Sequence, residues 1–263
     1  MKEPLSIALV QTDLIWENPA QNRAHLDKIF ASITPDVDLV LLPEMFTSGF
    51  TMNPMSVADT MQGITVTWLQ KWAAQKDVAF GGSVVIKEGN AYFNRFLFVR
   101  PNGEVQSYDK RHRFMMAGEG KRYTAGNQTA LITYKGWKLF PQICYDLRFP
   151  VFSRNVIDYD ILIYVANWPN TRIQAWDTLL KARAIENMCY CIGVNRIGKD
   201  GNDLDYSGHS GVYDPLGNTL AFENDANRLI HVSLSKEQLQ KIRLKLPFLK
   251  DRDQFEIISL NKQ

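Results

Sequence analysis

The stretch from residue 139 to residue 150 reads Leu139-Phe140-Pro141-Gln142-Ile143-Cys144-Tyr145-Asp146-Leu147-Arg148-Phe149-Pro150. Its apolar first half predicts a strand that ends at Cys144, while Asp146, Arg148 and Pro150 indicate a turn and the start of a helix. At such a position, backbone N–H groups and the helix dipole stabilise a thiolate and any oxyanion beside it. Cys144 is therefore a candidate nucleophile. The alternative is that it packs as a small apolar side chain, as free cysteines often do.

The composition excludes several classes of function. A net charge of +2 over 263 residues leaves no basic surface to dominate binding to nucleic acid or a membrane, and no apolar run is long enough to cross a bilayer. The N-terminus enters a strand pattern directly and lacks the features of a signal peptide. The three cysteines are an odd number, which argues against a disulfide framework and for a reducing compartment. We therefore expect a cytoplasmic protein that binds neither nucleic acid nor membrane.

The two remaining cysteines, Cys189 and Cys191, lie two residues apart in a strand-like run and therefore share a face. No second pair of Cys or His residues lies near them in the sequence, so zinc binding is not expected. We predict that both pack in the core, and the sequence predicts no metal site.

Short apolar strands alternate with helices and hairpins along the whole chain. Strands are predicted over residues 6–11, 38–42, 78–86, 92–100, 105–110, 130–134, 137–144, 161–166, 190–194, 210–214, 219–222 and 229–234. Helices are predicted over residues 18–33, 64–76, 151–157 and 174–188, with Asn18 as an N-cap, and Ser235 is predicted to cap a final helix. No linker divides the chain, so we expect one α/β domain over residues 1–263, with two packed sheets and helices outside.

Three of the predicted strands end on or just before a residue with reactive chemistry, namely Glu44, Lys110 and Cys144. In layered α/β proteins, functional sites gather at strand ends. A thiolate attacks a carbonyl carbon, a carboxylate takes the thiol proton and passes one to the leaving group, and an ammonium holds the oxyanion. A histidine base is the alternative, and of the four histidines only His112 stays a candidate, because it closely follows Lys110.

The motifs around these residues resemble the Glu–Lys–Cys signature of the nitrilase, or carbon–nitrogen hydrolase, superfamily. The three motifs are Leu42-Pro43-Glu44, Tyr108-Asp109-Lys110 and residues 143–150. Further matching segments, in the same order as in the family, lie at residues 8–11, 123–127, 182–187 and 210–217. The resemblance therefore covers nearly the whole chain.

The resemblance implies a four-layer α-β-β-α sandwich, usually assembled as a dimer whose layers continue across the interface. It also implies hydrolysis of an amide or nitrile through a thioester, without a cofactor. Residues 144–150 and the pair Trp168-Pro169 are most similar to the omega-amidase branch, which removes ammonia from the side-chain amide of 2-oxoglutaramate and 2-oxosuccinamate. Members of the family carry a second glutamate, which Glu119 matches. The backbone N–H of Tyr145 is the expected second donor to the oxyanion.

The sequence leaves the substrate-binding residues more open. Arg148 or Arg172 is able to pair with a substrate carboxylate, and we favour a structural role for Arg148, which leaves Arg172 as the candidate. The pocket wall has aromatic candidates for which core packing is an equal alternative, namely Phe50, Tyr123 and Trp168. For Glu119 the alternative is a solvated charge in a Gly-rich loop.

Three hypotheses of function follow. The first is an amidase of small omega-amide keto acids. The second is another carbon–nitrogen hydrolase, acting on a carbamoyl amine, an aliphatic amide or a nitrile. The third is a binding protein that has kept the fold and lost catalysis, which the intact set of Glu44, Lys110 and Cys144 argues against.

Overall fold

Two mixed β-sheets form the centre of the computed structural model, which describes residues 4–257. Their strands are β1 (Leu5–Gln11), β2 (Leu39–Leu41), β3 (Ala79–Glu88), β4 (Ala91–Val99), β5 (Val105–Asp109), β6 (Ile132–Tyr134), β7 (Trp137–Ile143), β8 (Ile161–Ala166), β9 (Tyr190–Asn195), β10 (Ile197–Lys199), β11 (Asp205–Tyr213), β12 (Thr219–Asn224) and β13 (Arg228–Leu234). The first sheet has the order β13-β1-β2-β3-β4-β5. The second has the order β10-β11-β9-β8-β7-β6, with β12 paired to β11.

Each sheet has a parallel centre and antiparallel edges. Strands β1, β2 and β3 run parallel in the first sheet, as do β7, β8 and β9 in the second. Strands of this kind are covered on both faces and are apolar throughout. The whole of β8, with the sequence ILIYVA, is buried accordingly.

The helices are α1 (Pro19–Ala31), α2 (Pro54–Val57), α3 (Ile64–Lys76), α4 (Pro150–Ser153), α5 (Ile173–Asn187) and α6 (Lys236–Lys245). Two of the predicted caps are confirmed. The side chain of Asn18 accepts a hydrogen bond from the backbone N–H of Gln21 at 3.0 Å, and that of Ser235 accepts one from Gln238 at 3.2 Å. Among the helices within residues 4–257, none is long and apolar enough to span a lipid bilayer.

Apolar clusters join the layers. Successive side chains of β1 point to opposite faces, so that Ile7 and Leu9 enter the cluster between the two sheets, while Ala8 and Val10 enter the cluster beneath α1 and α3. Helix α5 covers the outer face of the second sheet in a further cluster. The predicted four-layer α-β-β-α sandwich is therefore confirmed, and the prediction that Cys189 and Cys191 are core residues is confirmed because both are fully buried under α5.

The helix predicted over residues 151–157 was wrong in its extent, since α4 ends at Ser153. The backbone of Arg154 is extended, and the side chain of Asn155 hydrogen-bonds the backbone N–H and carbonyl of Tyr159. These bonds compete with further helical turns. Strand β10 was not predicted. It pairs with β11, which begins five residues earlier than predicted, and the resulting hairpin reaches the functional site.

Gly193 allows α5 to pack closely on the second sheet. A Cβ atom at this position would lie 2.4 Å from Cδ1 of Leu180 and 2.7 Å from Cζ2 of Trp176, both fully buried. We expect Gly193→Ala to lower the free energy of unfolding by about 1–3 kcal/mol in urea denaturation, because the core is overfilled. In a Leu180→Ala background the added methyl group has room, so the cost should fall. An equal cost in both backgrounds would contradict this account of the packing.

Candidate active site

The structure brings the three predicted strand-end residues together with Glu119. The ammonium of Lys110 lies 2.9 Å from Oε1 of Glu44 and 3.0 and 3.1 Å from the two carboxylate oxygens of Glu119. All three side chains are buried. The segments that follow β2 and β5 thus bring a cation and two carboxylates to one point, near Cys144 at the end of β7.

Buried donors fix the carboxylate of Glu44 from several sides. Its Oε1 accepts hydrogen bonds from Lys110 and, at 2.7 Å, from the side-chain amide of Asn94. Its Oε2 accepts a 2.9 Å bond from the backbone N–H of Asn167. The Asn167 side chain also donates to the Glu44 carbonyl at 2.5 Å, so residues of both sheets hold this glutamate.

Cys144 occupies a sharp turn between β7 and a 3-10 helix over Cys144–Arg148. Its φ of +46° lies in the left-handed region, which costs energy for a residue with a Cβ atom and is seen at functional sites. The thiol lies 3.9 Å from the carbonyl oxygen of Asn167. The turn therefore stops the strand and aims Sγ out of the sheet.

Asp146 anchors the turn that follows Cys144. Its carboxylate accepts hydrogen bonds from the backbone N–H of Ile143, the hydroxyl of Tyr108 and the backbone N–H of His112. The His112 ring, the candidate alternative base, also bonds Asp146 at 2.7 Å and stacks on Phe149 with the ring centres 3.7 Å apart. These contacts with Asp146 and Phe149 indicate a structural role for His112 in supporting the turn.

The charges of the site act on one another. Burial raises the pKa of the Cys144 thiol, and the nearby Glu44 charge raises this pKa further. Burial alone would lower the pKa of Lys110, but the charges of Glu119 and Glu44 outweigh burial and raise this pKa above that of an ordinary lysine. Both shifts favour the protonated forms, a thiol at Cys144 and an ammonium at Lys110.

Glu119 lies in the interior, at the start of a short 3-10 helix over Glu119–Lys121. The alternative interpretation as a solvated loop charge was wrong. Burial raises the pKa of this carboxyl, while the charge of Lys110 opposes the rise. One of its oxygens also accepts a 2.5 Å hydrogen bond from the backbone N–H of Phe114, which fixes the loop around it.

A cavity of about 300 Å³ opens above Cys144 and Lys110. Both apolar and polar side chains line it. Among the predicted binding residues, those that line it are Phe50, Trp168, Arg148 and Arg172, together with Tyr145 of the turn at Cys144.

Tyr123 does not line this cavity, so its prediction as part of the pocket wall is corrected. It is buried in a cluster with Met45, Val57 and Val85, and its hydroxyl donates to the backbone carbonyl of Thr51 at 2.7 Å. The sequence allowed two interpretations of Tyr123, pocket wall and core packing, and the structure supports core packing.

The two arginines of the cavity both lie over aromatic rings. The guanidinium of Arg148 is 5.0 Å from the ring centre of Trp168, and that of Arg172 is 5.2 Å from the ring centre of Phe114. Within the part of the chain that the structure describes, neither guanidinium has an ion-pair partner. The cavity therefore offers positive charge to a ligand.

Sequence reasoning missed Asn94, Asn167 and the hairpin of β10 and β11. A signal existed for two of them: Asn94 is a polar residue inside an apolar strand, and Asn167 directly follows β8 at its carboxyl end. No comparable signal marked Asp200, which lines the cavity from the hairpin. Among residues 4–257, no group of three or more His, Cys, Asp and Glu side chains is arranged to hold a metal ion.

The sequence matches the Carbon-nitrogen hydrolase family over residues 6–244. It is 44% identical to omega-amidase YafV of Yersinia enterocolitica, over 95% of this chain and 98% of that protein. It is 28% identical to 2-oxoglutaramate amidase of Bacillus subtilis, over 94% of this chain and 96% of that protein.

Among solved structures, a CN-hydrolase superfamily protein from Xanthomonas campestris with an arsenic adduct in its active site has a TM-score of 0.95 at 42% identity. The match covers 97% of this chain and 99% of that one. These similarities extend over nearly the whole chain and include the segments that carry Glu44, Lys110 and Cys144. The chain therefore belongs to the carbon–nitrogen hydrolase family, as the resemblance of those segments predicted.

Proposed function

We propose that this protein hydrolyses the side-chain amide of small omega-amide keto acids, such as 2-oxoglutaramate and 2-oxosuccinamate, and releases ammonia. The observation that carries the proposal is the cavity lined by Cys144 and Lys110 and by the guanidinium of Arg172, which has no ion-pair partner among residues 4–257. The similarity to proteins named omega-amidase and 2-oxoglutaramate amidase supports the same substrate class.

The first half of the proposed reaction forms a thioester. Glu44 takes the thiol proton as Sγ of Cys144 attacks the amide carbon, and the carbonyl oxygen becomes an oxyanion. The Lys110 ammonium and the backbone N–H of Tyr145 donate hydrogen bonds to that oxyanion. Glu44 then passes its proton to the amide nitrogen, the carbon–nitrogen bond breaks, and ammonia leaves.

The second half regenerates the enzyme with the same groups. Glu44 takes a proton from water as the water oxygen attacks the thioester carbon, and the oxyanion forms again at the same place. The carbon–sulfur bond breaks, and Cys144 recovers a proton from Glu44 while the free acid leaves. Glu119 stays paired with the Lys110 ammonium and holds it in place and protonated through both halves, while one N–H group of Lys110 turns to the oxyanion.

The wall of the cavity supplies the recognition of the substrate acid. The guanidinium of Arg172 suits the substrate carboxylate, because its fork donates two parallel hydrogen bonds. Lys110 is committed to the oxyanion and to its two glutamates, so it is not free for this task. Arg148 stacks on Trp168 and ends the nucleophile turn, which supports the structural role.

A second candidate is a carbon–nitrogen hydrolase for a neutral aliphatic amide, a nitrile or a carbamoyl amine. The apolar part of the cavity wall, which includes Phe50, Met52 and Phe114, favours this alternative. A substrate panel that measures ammonia release from 2-oxoglutaramate, from a neutral amide of similar length, from a nitrile and from a carbamoyl amine separates the two candidates.

The proposal includes a homodimer in the cytoplasm, with one catalytic domain over residues 1–263 in each protomer. Exposed apolar side chains support assembly: Ile185 on α5 is 50% exposed and lies against the turn at Gly217, next to Leu216, which is 48% exposed. The three cysteines are free thiols, which agrees with a reducing compartment.

Cys144 is the first test of the mechanism. We expect Cys144→Ala to abolish ammonia release while the thermal unfolding temperature stays near that of the wild type, because this side chain carries the nucleophile. Mass spectrometry of the wild type with a slow substrate should detect an acyl adduct on Cys144. Cys191→Ala is the matched control and should retain turnover. Comparable activity in Cys144→Ala would refute the mechanism.

The roles of the base and the oxyanion donor are tested separately. Glu44→Gln should lower kcat by about 10²–10⁴-fold, the range for loss of a general base. Lys110→Ala should lower it by about 10²–10³-fold through the lost oxyanion donor. Because this second change leaves two buried carboxylates without their cation, a thermal melt must accompany the kinetics. Near-wild-type kcat in either folded variant would contradict the assigned role.

Arg172 is the test of the substrate class. We expect Arg172→Ala to raise KM strongly for acidic omega-amides and much less for neutral amides of the same length, because the lost contact is mostly uniform binding. Arg148→Ala is the matched control, since it removes the other guanidinium of the same cavity. If Arg172→Ala weakens both classes of amide equally, Arg172 is structural. If the wild type does not prefer acidic amides, the second candidate function stands.

A further inference from the structure

Asn94 contacts two catalytic residues at once, although it does not line the cavity. It lies within β4, is 1% exposed, and donates its side-chain amide to Oε1 of Glu44 at 2.7 Å. Its backbone carbonyl accepts a 2.9 Å hydrogen bond from the backbone N–H of Lys110. One residue of the first sheet therefore fixes both the carboxylate of Glu44 and the chain at Lys110.

The hydrogen bonds to Glu44 leave a defined position for the thiol proton. A carboxylate has about four acceptor positions, two on each oxygen. Asn94 and Lys110 occupy both positions on Oε1, and the backbone N–H of Asn167 occupies one on Oε2. The position that stays open is therefore on Oε2, the oxygen bonded by Asn167, whose carbonyl in turn contacts Sγ of Cys144.

The orientation of the Asn94 amide indicates that the side chain serves to donate a hydrogen bond to Glu44. Its Oδ1 atom is buried without a hydrogen-bond partner among the described residues, a state that is costly and uncommon. Rotating the amide would place this oxygen against Oε1 of Glu44, which cannot donate when ionised. The side chain thus keeps an unsatisfied acceptor so that its N–H groups face the carboxylate.

We propose that Asn94 is a positioning residue that occupies Oε1 of Glu44 and directs Oε2 to the thiol of Cys144. The inference rests on the proposed reaction, in which Glu44 is the base. A hydrogen-bond donor interacts more strongly with an ionised carboxylate than with a neutral one, so a variant without this donor is compared with the wild type across the pH range.

Other titratable groups near Glu44 set the background for this effect. They are Lys110, Glu119, Cys144 and Tyr123. Lys110 supplies the cation of this group, and Asn94 adds a donor without adding a charge. An aspartate at position 94 would instead add a further carboxylate beside Glu44, and like charges this close disfavour ionisation.

Three variants test the proposal: Asn94→Asp, Asn94→Ser and the matched control Asn155→Asp. Asn155 is as buried as Asn94, but its side chain bonds Tyr159 and Asn187, away from the cavity. Two quantities are measured against pH. One is kcat/KM for 2-oxoglutaramate, and the other is the rate of Cys144 alkylation by iodoacetamide, followed by mass spectrometry and independent of the substrate.

The base must take the proton of the thiol, so we expect both rates to fall as pH falls. We expect the acid limb of both profiles to move to higher pH by about one pH unit in Asn94→Asp and by less in Asn94→Ser. At the optimum, kcat should fall by about 10–100-fold in both variants while KM changes little, because Asn94 does not touch the substrate. Asn155→Asp should lower the unfolding temperature and leave both acid limbs in place.

A lower kcat with unchanged acid limbs, or an equal movement in Asn155→Asp, would overturn the proposal, because either result means a general structural role. If Asn94→Asp does not fold, the smaller Asn94→Ser carries the same comparison. If the wild type releases no ammonia from 2-oxoglutaramate but the alkylation profile moves as expected, the proposed function fails and the positioning role of Asn94 stands.

Discussion

The ammonium of Lys110 between the carboxylates of Glu44 and Glu119 is the constraint on which the site depends. Charged groups that leave water lose several kcal/mol of solvation each, and only close opposite charges and hydrogen bonds recover it. The three residues come from three separate segments, and all are buried. The loops that carry them must therefore meet at one point, and the ion pair that holds Lys110 in place also fixes the Gly-rich loop of Glu119.

The packing of the two sheets sets the distance between Glu44 and Cys144. Glu44 and Lys110 follow strands of the first sheet, while Cys144 and Asn167 follow strands of the second. The apolar cluster between the sheets holds them face to face, and Asn167 bridges them, because its backbone N–H bonds Glu44 and its carbonyl contacts the thiol. Core packing, which is rigid on this scale, thereby fixes the geometry on which the proposed proton transfer depends.

The elements whose signals are local could be predicted from the sequence. A buried strand that ends near Glu44 or Cys144 is visible in the sequence as an apolar run followed by a reactive side chain. A helix cap such as Asn18 is also recognised from a short local pattern. The function of Asn94 is not local, because it depends on a cross-strand bond to Lys110 and on a carboxylate 50 residues away in the sequence. The prediction that Tyr123 lines the pocket was wrong for a similar reason. An aromatic residue beside a motif does not indicate which side of the loop its ring faces.

The hairpin of β10 and β11 holds the carboxylate of Asp200 in hydrogen bonds of its own loop. Asp200 lines the same cavity as Arg172, and a free carboxylate there would compete with a substrate anion. Its oxygens instead accept hydrogen bonds from the backbone N–H groups of Asn202 and Leu204 and from the hydroxyl of Tyr206, at 2.8, 3.1 and 2.9 Å. These bonds fix the carboxylate in the loop, and among residues 4–257 the Arg172 guanidinium has no ion-pair partner and lies over the ring of Phe114. An acidic residue can therefore form part of the wall of a site proposed for an anion when its oxygens are bonded within its own loop and do not pair with the arginine.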